Sequence, residues 1–195
     1  MLFFFYGTLM DRDLRAALLG ERVHRLRVTP GVLLNHRRLA AKTGDYPVLV
    51  PSLGGRVNGV FVEGMDARAL LWISHFEGPI YLPQRVPAQD LTRQRLRPLS
   101  FLPTRRNWAS DKPWDFRRWQ RVGKRQMRDA LNSWLLERGR GSGAPLALDA
   151  PWAARRRMAA VLERPDPNPT PNPHLDHRAA AGLDEPDDRL AAAAE

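Results

Sequence analysis

Two stretches of this 195-residue chain carry residues whose types and spacing could do chemistry. The first is Phe5-Tyr6-Gly7-Thr8-Leu9, where an apolar run ends in a glycine turn a few residues before a helix start. Gly7 lets a ligand approach the main chain closely. Unpaired amides at a strand end beside a helix N-terminus can form a nest for an anion. An ordinary strand–turn–helix connection has the same composition, and composition alone favours it. The second is Glu77. The helix before it presents Ala67, Leu70, Leu71 and Ser74 along one face, and Glu77 follows close to that apolar stripe. It also falls in the last helical turn, where the helix dipole disfavours an anion. Desolvation and the dipole would both raise its pKa toward the range of a general base. A solvated glutamate at a frayed helix end is the competing reading.

The elements that must position these residues can be read from pattern. Leu2 to Tyr6 has the length of a buried strand. Asp11 can cap a helix running to Leu19, with Leu14, Ala17 and Leu18 on one face and Gly20 as its stop. Val23 to Val28 alternates as a half-buried strand does, and Pro30-Gly31 predicts a turn. Val32 to Ala41 predicts a second strand, and Tyr46 to Pro51 a short extended piece. Gly54-Gly55 predicts another turn before a strand over 56–62, with Val57, Gly59 and Phe61 on one side. Met65 or Asp66 opens a helix through Phe76, which Gly78 and Pro79 end. Arg85 to Ala88 and Leu96 to Leu102 are strand candidates interrupted by prolines. Strands with short helices inserted predict an α+β domain on a curved sheet or small mixed barrel.

After Pro103 helices dominate. Phe116, Trp119, Val122, Met127, Ala130, Leu131, Trp134 and Leu135 recur near the helical period, which predicts a basic amphipathic helix. A flexible break at 139–143 and a second helix over 151–163 follow. The proline-rich and then alanine-rich, acidic run from Pro165 predicts disorder. The expected division is a domain over 1–103, a basic helical extension packing on it over 104–164, and a tail over 165–195.

Composition bounds the rest. There is no cysteine, so disulfides, thiolate catalysis and Cys-ligated metal sites are excluded. No apolar stretch is long enough for a membrane span. The apolar start lacks a basic leader, so the expectation is a cytoplasmic protein. The net charge of +10 is uneven: +6 over 1–103, +9 over 104–164 and −5 over 165–195. A basic middle before an acidic end suggests anionic partners, or masking of one segment by the other. Arginines outnumber lysines 28 to 3, a bias that genome composition alone can produce, so the charge decides little.

Together the two stretches resemble the γ-glutamylcyclotransferase family, also called AIG2-like. Its first strand ends in Tyr-Gly-Thr/Ser-Leu, here Tyr6-Gly7-Thr8-Leu9. A later Val-x-Gly-x-apolar strand matches Val57 to Phe61, and Tyr46-Pro47 with its apolar run is also similar. A helix ending in an acidic residue, with a tyrosine four positions on, matches Glu77 and Tyr81. The resemblance spans about 1–103. It implies a small mixed barrel with a pocket at one end, and an enzyme that releases 5-oxoproline from a γ-glutamyl amine or peptide. Glu77 would be the general acid/base. The main chain of Gly7, Thr8 and Leu9, with Tyr6 and Tyr81 beside it, would bind the substrate. The resemblance implies no metal or cofactor. Two features depart from the pattern. Pro83 stands where family members often carry an arginine, with Arg85 displaced, and only Phe101 is a candidate for the late aromatic that closes the pocket.

Other residues weigh less. Tyr81 either orients Glu77 or packs with its hydroxyl at the pocket rim. His75 reads as a packing or surface residue, and His174 and His177 as incidental. The tryptophans of the basic helix read as core, with nucleic acid or an anionic membrane surface as the competing reading. A non-catalytic binding domain on the same fold, engaging an anionic partner through its basic helices, is the alternative function.

Overall fold

The computed structural model describes residues 1–78 and 80–137. The break expected at 139–143, the helix at 151–163, the tail from Pro165, and with them His174 and His177, lie outside the described residues, as does Pro79.

Eight strands form one mixed sheet: β1 (Leu2–Phe5), β2 (Arg27–Ala41), β3 (Pro47–Glu63), β4 (Tyr81–Arg85), β5 (Ala88–Asp90), β6 (Arg95–Leu96), β7 (Leu99–Pro103) and β8 (Ala109–Pro113). Their order is β4-β7-β1-β3-β2-β5-β6, with β8 pairing β2. β1 lies inside the sheet, antiparallel to β3 and parallel to β7 through Phe3 and Leu99. The sheet curls into a half-barrel, with short helices packed on it. Among the described residues the α-helices are, in chain order, α1 (Arg12–Leu19), α2 (Ala67–Glu77), α3 (Phe116–Val122) and α4 (Lys124–Glu137).

The alternation of β1 divides the core. Phe3 and Phe5 enter a cluster shared with Leu14 and Leu18 of α1, Leu70 and Ile73 of α2, and Trp119, Leu131 and Leu135 of α3 and α4. Phe4 and Tyr6 point to the other face, against Leu33, Leu49, Val57 and Phe61. Burying each such phenylalanine or leucine stabilises the fold by roughly 1.5–3 kcal/mol.

The helix boundaries follow their caps. Asp11 accepts from the Leu14 N–H at 3.0 Å, and Asp66 from the Ala69 N–H at 2.7 Å. Gly78, at φ 72°, ends α2 in a conformation that a side chain would strain.

Several expectations are corrected. Residues 20–25 form a 3-10 turn rather than the start of a strand at Val23. Val23 and Leu26, three apart and both partly buried, obey a period of three that the basic residues between them disguise as alternation. Pro30-Gly31 does not turn the chain but lies inside β2, where Gly31 pairs with Gly59. A Cβ on Gly31 would stand 2.2 Å from the Phe61 ring, and one on Gly59 2.4 Å from that of Phe4. The paired glycines make room for those two rings, which meet edge-on with centroids 5.2 Å apart. Gly54-Gly55 does not separate two strands either. Leu34 faces Arg56 and His36 faces Pro51, so Asn35 alone spans residues 52–55 in a bulge within a long β2–β3 pair. Asn35 takes φ 58° there, and its side chain accepts from the Gly54 N–H at 3.2 Å.

The sheet also continues past Pro103, because β8 pairs with β2. Pro83 is accommodated inside β4, which stands at the sheet edge. The single basic helix expected after Phe116 is two helices broken at Gly123. A Cβ on Gly123 would meet an Asp45 carboxylate oxygen at 2.5 Å and the Trp119 ring at 2.8 Å. Trp119, Leu131 and Leu135 are buried as the stripe requires, whereas Val122 is 62% exposed. No helix among the described residues is long and apolar enough to cross a membrane.

Candidate active site

β1 delivers Tyr6 and the turn that follows to the rim of a cavity of about 250 Å³. Its lining joins Phe5 to Leu9, Tyr46-Pro47, Phe76-Glu77, Ile80-Tyr81, Phe101 and Met127. All six sequence candidates, Tyr6, Gly7, Thr8, Leu9, Glu77 and Tyr81, therefore border one space.

The turn is held from both flanks. Arg38 Nη1 donates to the Tyr6 carbonyl at 2.6 Å, and Arg15 Nη1 to the Leu9 carbonyl at 2.6 Å. The Met10 N–H closes the turn on the Gly7 carbonyl at 2.9 Å, so the Thr8 and Leu9 amides come before its first bond. Burial pulls the pKa of both arginines below the ordinary value, and each keeps a compensating anion, Asp11 for Arg15 and Asp115 for Arg38. Arg38 also lies 5.0 Å above the Trp114 ring.

Gly7 is needed for a contact the sequence does not announce. A Cβ there would stand 2.7 Å from Pro47 Cγ. The bare glycine thus lets β3 close against the turn. The Pro47 carbonyl in turn accepts the Tyr81 hydroxyl at 3.0 Å.

Glu77 is the final residue of α2. Three- and four-residue steps from Leu70 through Ile73 put it on the buried face. That face runs through Ala69, Leu70, Trp72 and Ile73, rotated from the expected stripe: Ala67 is exposed, and Leu71 and Ser74 are half-buried. Glu77 keeps some accessible surface and lines the cavity. Burial raises its pKa to about 8. Among the described residues no side chain forms a hydrogen bond or ion pair with its carboxylate.

The two tyrosines are committed to the main chain. The Tyr6 hydroxyl donates to the Phe101 carbonyl at 2.7 Å, and that of Tyr81 goes to Pro47 rather than to Glu77. Burial raises both pKa values, and the nearby Glu77 charge adds to the effect. Phe101 forms part of the cavity wall, its ring stacked on Phe3 at 6.0 Å. His75 is half-buried and does not line the cavity.

Sequence reasoning missed the two clamping arginines, and Phe76, Ile80 and Met127 as cavity walls. Arg15 had a signal: it sits beside Leu14 and one turn from Leu18 and Leu19 on an apolar face. Arg38, in a strand beside the exposed Arg37 and the half-buried His36, had none.

A sequence profile described as Gamma-glutamyl cyclotransferase, AIG2-like, matches residues 3–115, more than half of the chain. The chain belongs to this family. Solved structures share the fold. One titled Gamma-glutamyl cyclotransferase is 14% identical with a TM-score of 0.51, covering 93% of this chain and 99% of its own. Two Arabidopsis thaliana proteins solved in solution are 20% and 21% identical, each with a TM-score of 0.50. They cover 69% and 76% of this chain and 89% and 91% of their own. No curated protein matches the chain.

Proposed function

We propose that this chain is a cofactor-independent γ-glutamylcyclotransferase acting on a γ-glutamyl amine or peptide. The observation that carries the reading is a glutamate without a side-chain partner among the described residues, lining the same cavity as the Gly7–Leu9 turn. A carboxyl group with a pKa near 8 can both accept and return a proton near neutral pH.

In this reading the amides of the turn bind the substrate's α-carboxylate. The Glu77 carboxylate takes a proton from the α-ammonium. The freed nitrogen attacks the γ-carbonyl carbon of the same molecule and closes a five-membered ring. The C–N bond to the leaving group then breaks as Glu77 returns the proton to the departing nitrogen, and the second proton of the ring nitrogen passes through the same carboxylate to the released amine, which leaves as an ammonium. The products are 5-oxoproline and a free amine or amino acid. Nucleophile and electrophile share one molecule, so holding the folded rotamer supplies much of the rate through proximity. Tyr6 and Tyr81 serve the site by fixing the Phe101 and Pro47 main chain at its walls.

A panel of γ-glutamyl amides and peptides assayed for 5-oxoproline tests the proposal. Glu77→Gln keeps the shape and removes the base, and is expected to lower release by about 10²–10⁴-fold. A folded variant with wild-type turnover overturns the assignment.

A further inference from the structure

The cavity has a wall that the family match does not include. Met127 lines it, yet belongs to α4, beyond the matched residues 3–115. α4 is fixed rather than merely adjacent. Lys124 Nζ bridges Asp11 at 2.9 Å and Asp13 at 2.7 Å, both on the segment that follows the turn. From the preceding α3, Gln120 Nε2 donates to the same Asp11 carboxylate at 3.0 Å. Further along, Trp134 meets Trp72 of α2 edge-on, with centroids 5.8 Å apart, and Leu131 and Leu135 enter the main core. Met127 therefore reaches the cavity from a helix tied to both α1 and α2.

Met127 shares the cavity lining with the apolar side chains of Phe76, Ile80, Pro47 and Phe101. Among the described residues no lysine, arginine or histidine lines the space, and its only carboxylate is Glu77. A leaving group with its own carboxylate would lose water there without gaining a cation. A leaving group with its own ammonium would compete with the substrate's α-ammonium for Glu77. A methionine offers a flexible, polarizable surface that adapts to aliphatic and aromatic groups.

We infer that Met127, supplied by α4, is the specificity-determining residue of this pocket, selecting γ-glutamyl amides whose leaving amine carries an apolar, uncharged substituent. The inference rests on the cyclotransferase reading and refines it.

The test compares γ-glutamyl-n-butylamide and γ-glutamyl-benzylamide with γ-glutamylglycine and γ-glutamyl-ε-lysine, following 5-oxoproline. For the intact chain kcat/KM is expected to favour the apolar amides by about tenfold or more. Met127→Arg is expected to raise KM for the benzylamide and lower it for γ-glutamylglycine, reversing the preference. Met127→Leu is expected to retain it. If Met127→Arg does not fold, Met127→Gln is read instead, with the expected loss of the apolar preference. A wild-type preference for γ-glutamylglycine, or a preference ratio unchanged in the folded variants, overturns this inference and leaves the cyclotransferase reading intact. No 5-oxoproline from any compound overturns both.

Discussion

Arg38 reaches across from β2 to hold the carbonyl oxygen of Tyr6 at 2.6 Å, at the last residue before the turn that borders the cavity. The same peptide group carries the Gly7 N–H. The charge that fixes the carbonyl therefore also fixes where that amide points and strengthens it as a donor. Arg38→Met is expected to raise KM for a γ-glutamyl amide by about tenfold, the scale of one lost charge-assisted hydrogen bond, with a smaller effect on kcat. Arg38→Lys should recover part of the loss. Steady-state kinetics on the three proteins checks this, and an unchanged KM in Arg38→Met would remove Arg38 from the binding of substrate.

The pH dependence follows from Glu77. Its carboxyl must be ionised to take a proton, and its pKa is raised to about 8 by burial. In the free enzyme kcat/KM should therefore climb as pH passes from about 7 to about 9. Stability should move the other way. Between the ordinary value of 4.5 and about 8 the folded chain keeps a proton that the unfolded chain has released, so rising pH favours unfolding across that window. Glu77→Gln removes this titration. Its stability relative to wild type should improve progressively from pH 4.5 to pH 8, as read by denaturant titration at several pH values. A parallel pair of curves would mean that Glu77 is not shielded from water.

Gly7 and Pro47 should behave as a coupled pair. Gly7→Val puts a Cβ 2.7 Å from Pro47 Cγ and is expected to raise KM and lower the thermal midpoint together. Pro47→Ala removes the obstructing atoms, so the double variant should be less impaired than the two single effects summed. A double-mutant cycle in KM and stability measures this. Strict additivity would show that the two residues do not press on one another.

Asp11 fastens α4 to the segment behind the turn. Burial pushes its pKa up, but hydrogen bonds from Gln120, Lys124 and the Leu14 N–H together hold it below the ordinary 3.8. With a depressed folded pKa, its contribution to stability is present above pH 3.8 and is lost as pH falls through the folded value. Asp11→Asn is expected to cost about 1.5–3 kcal/mol at pH 7, the scale of hydrogen bonds to a charged group, with the deficit shrinking in acid. Chemical denaturation at pH 7 and pH 3 checks it.

What the sequence disclosed depended on how local each feature is. Asp11 was legible as a cap because capping involves residues three apart, and Glu77 because helical periodicity fixes its direction. Gly31, Gly54 and Gly55 misled. Gly31 and Gly59 answer to the rings of Phe61 and Phe4, which approach across strands, and no neighbour in sequence reveals such an approach. Gly54-Gly55 reads as a turn because a turn and a wide bulge demand the same backbone freedom. The arginine clamp was hidden for the same reason. Arg38 and Tyr6 are far apart in the chain, and only the strand order β1-β3-β2 brings them within reach.

The strand order carries a consequence for synthesis. The cavity takes its walls from Phe5 at one end and Met127 at the other, with β7 inserted beside β1 by parallel pairing. Such distant partners meet late, after the loops between them have closed. A nascent chain that has not yet released α4 from the ribosome lacks one side of the chamber, whatever the state of β1 and α2. Under the proposed function, turnover would therefore begin only near the end of folding, and 5-oxoproline release would serve as a direct clock for complete assembly.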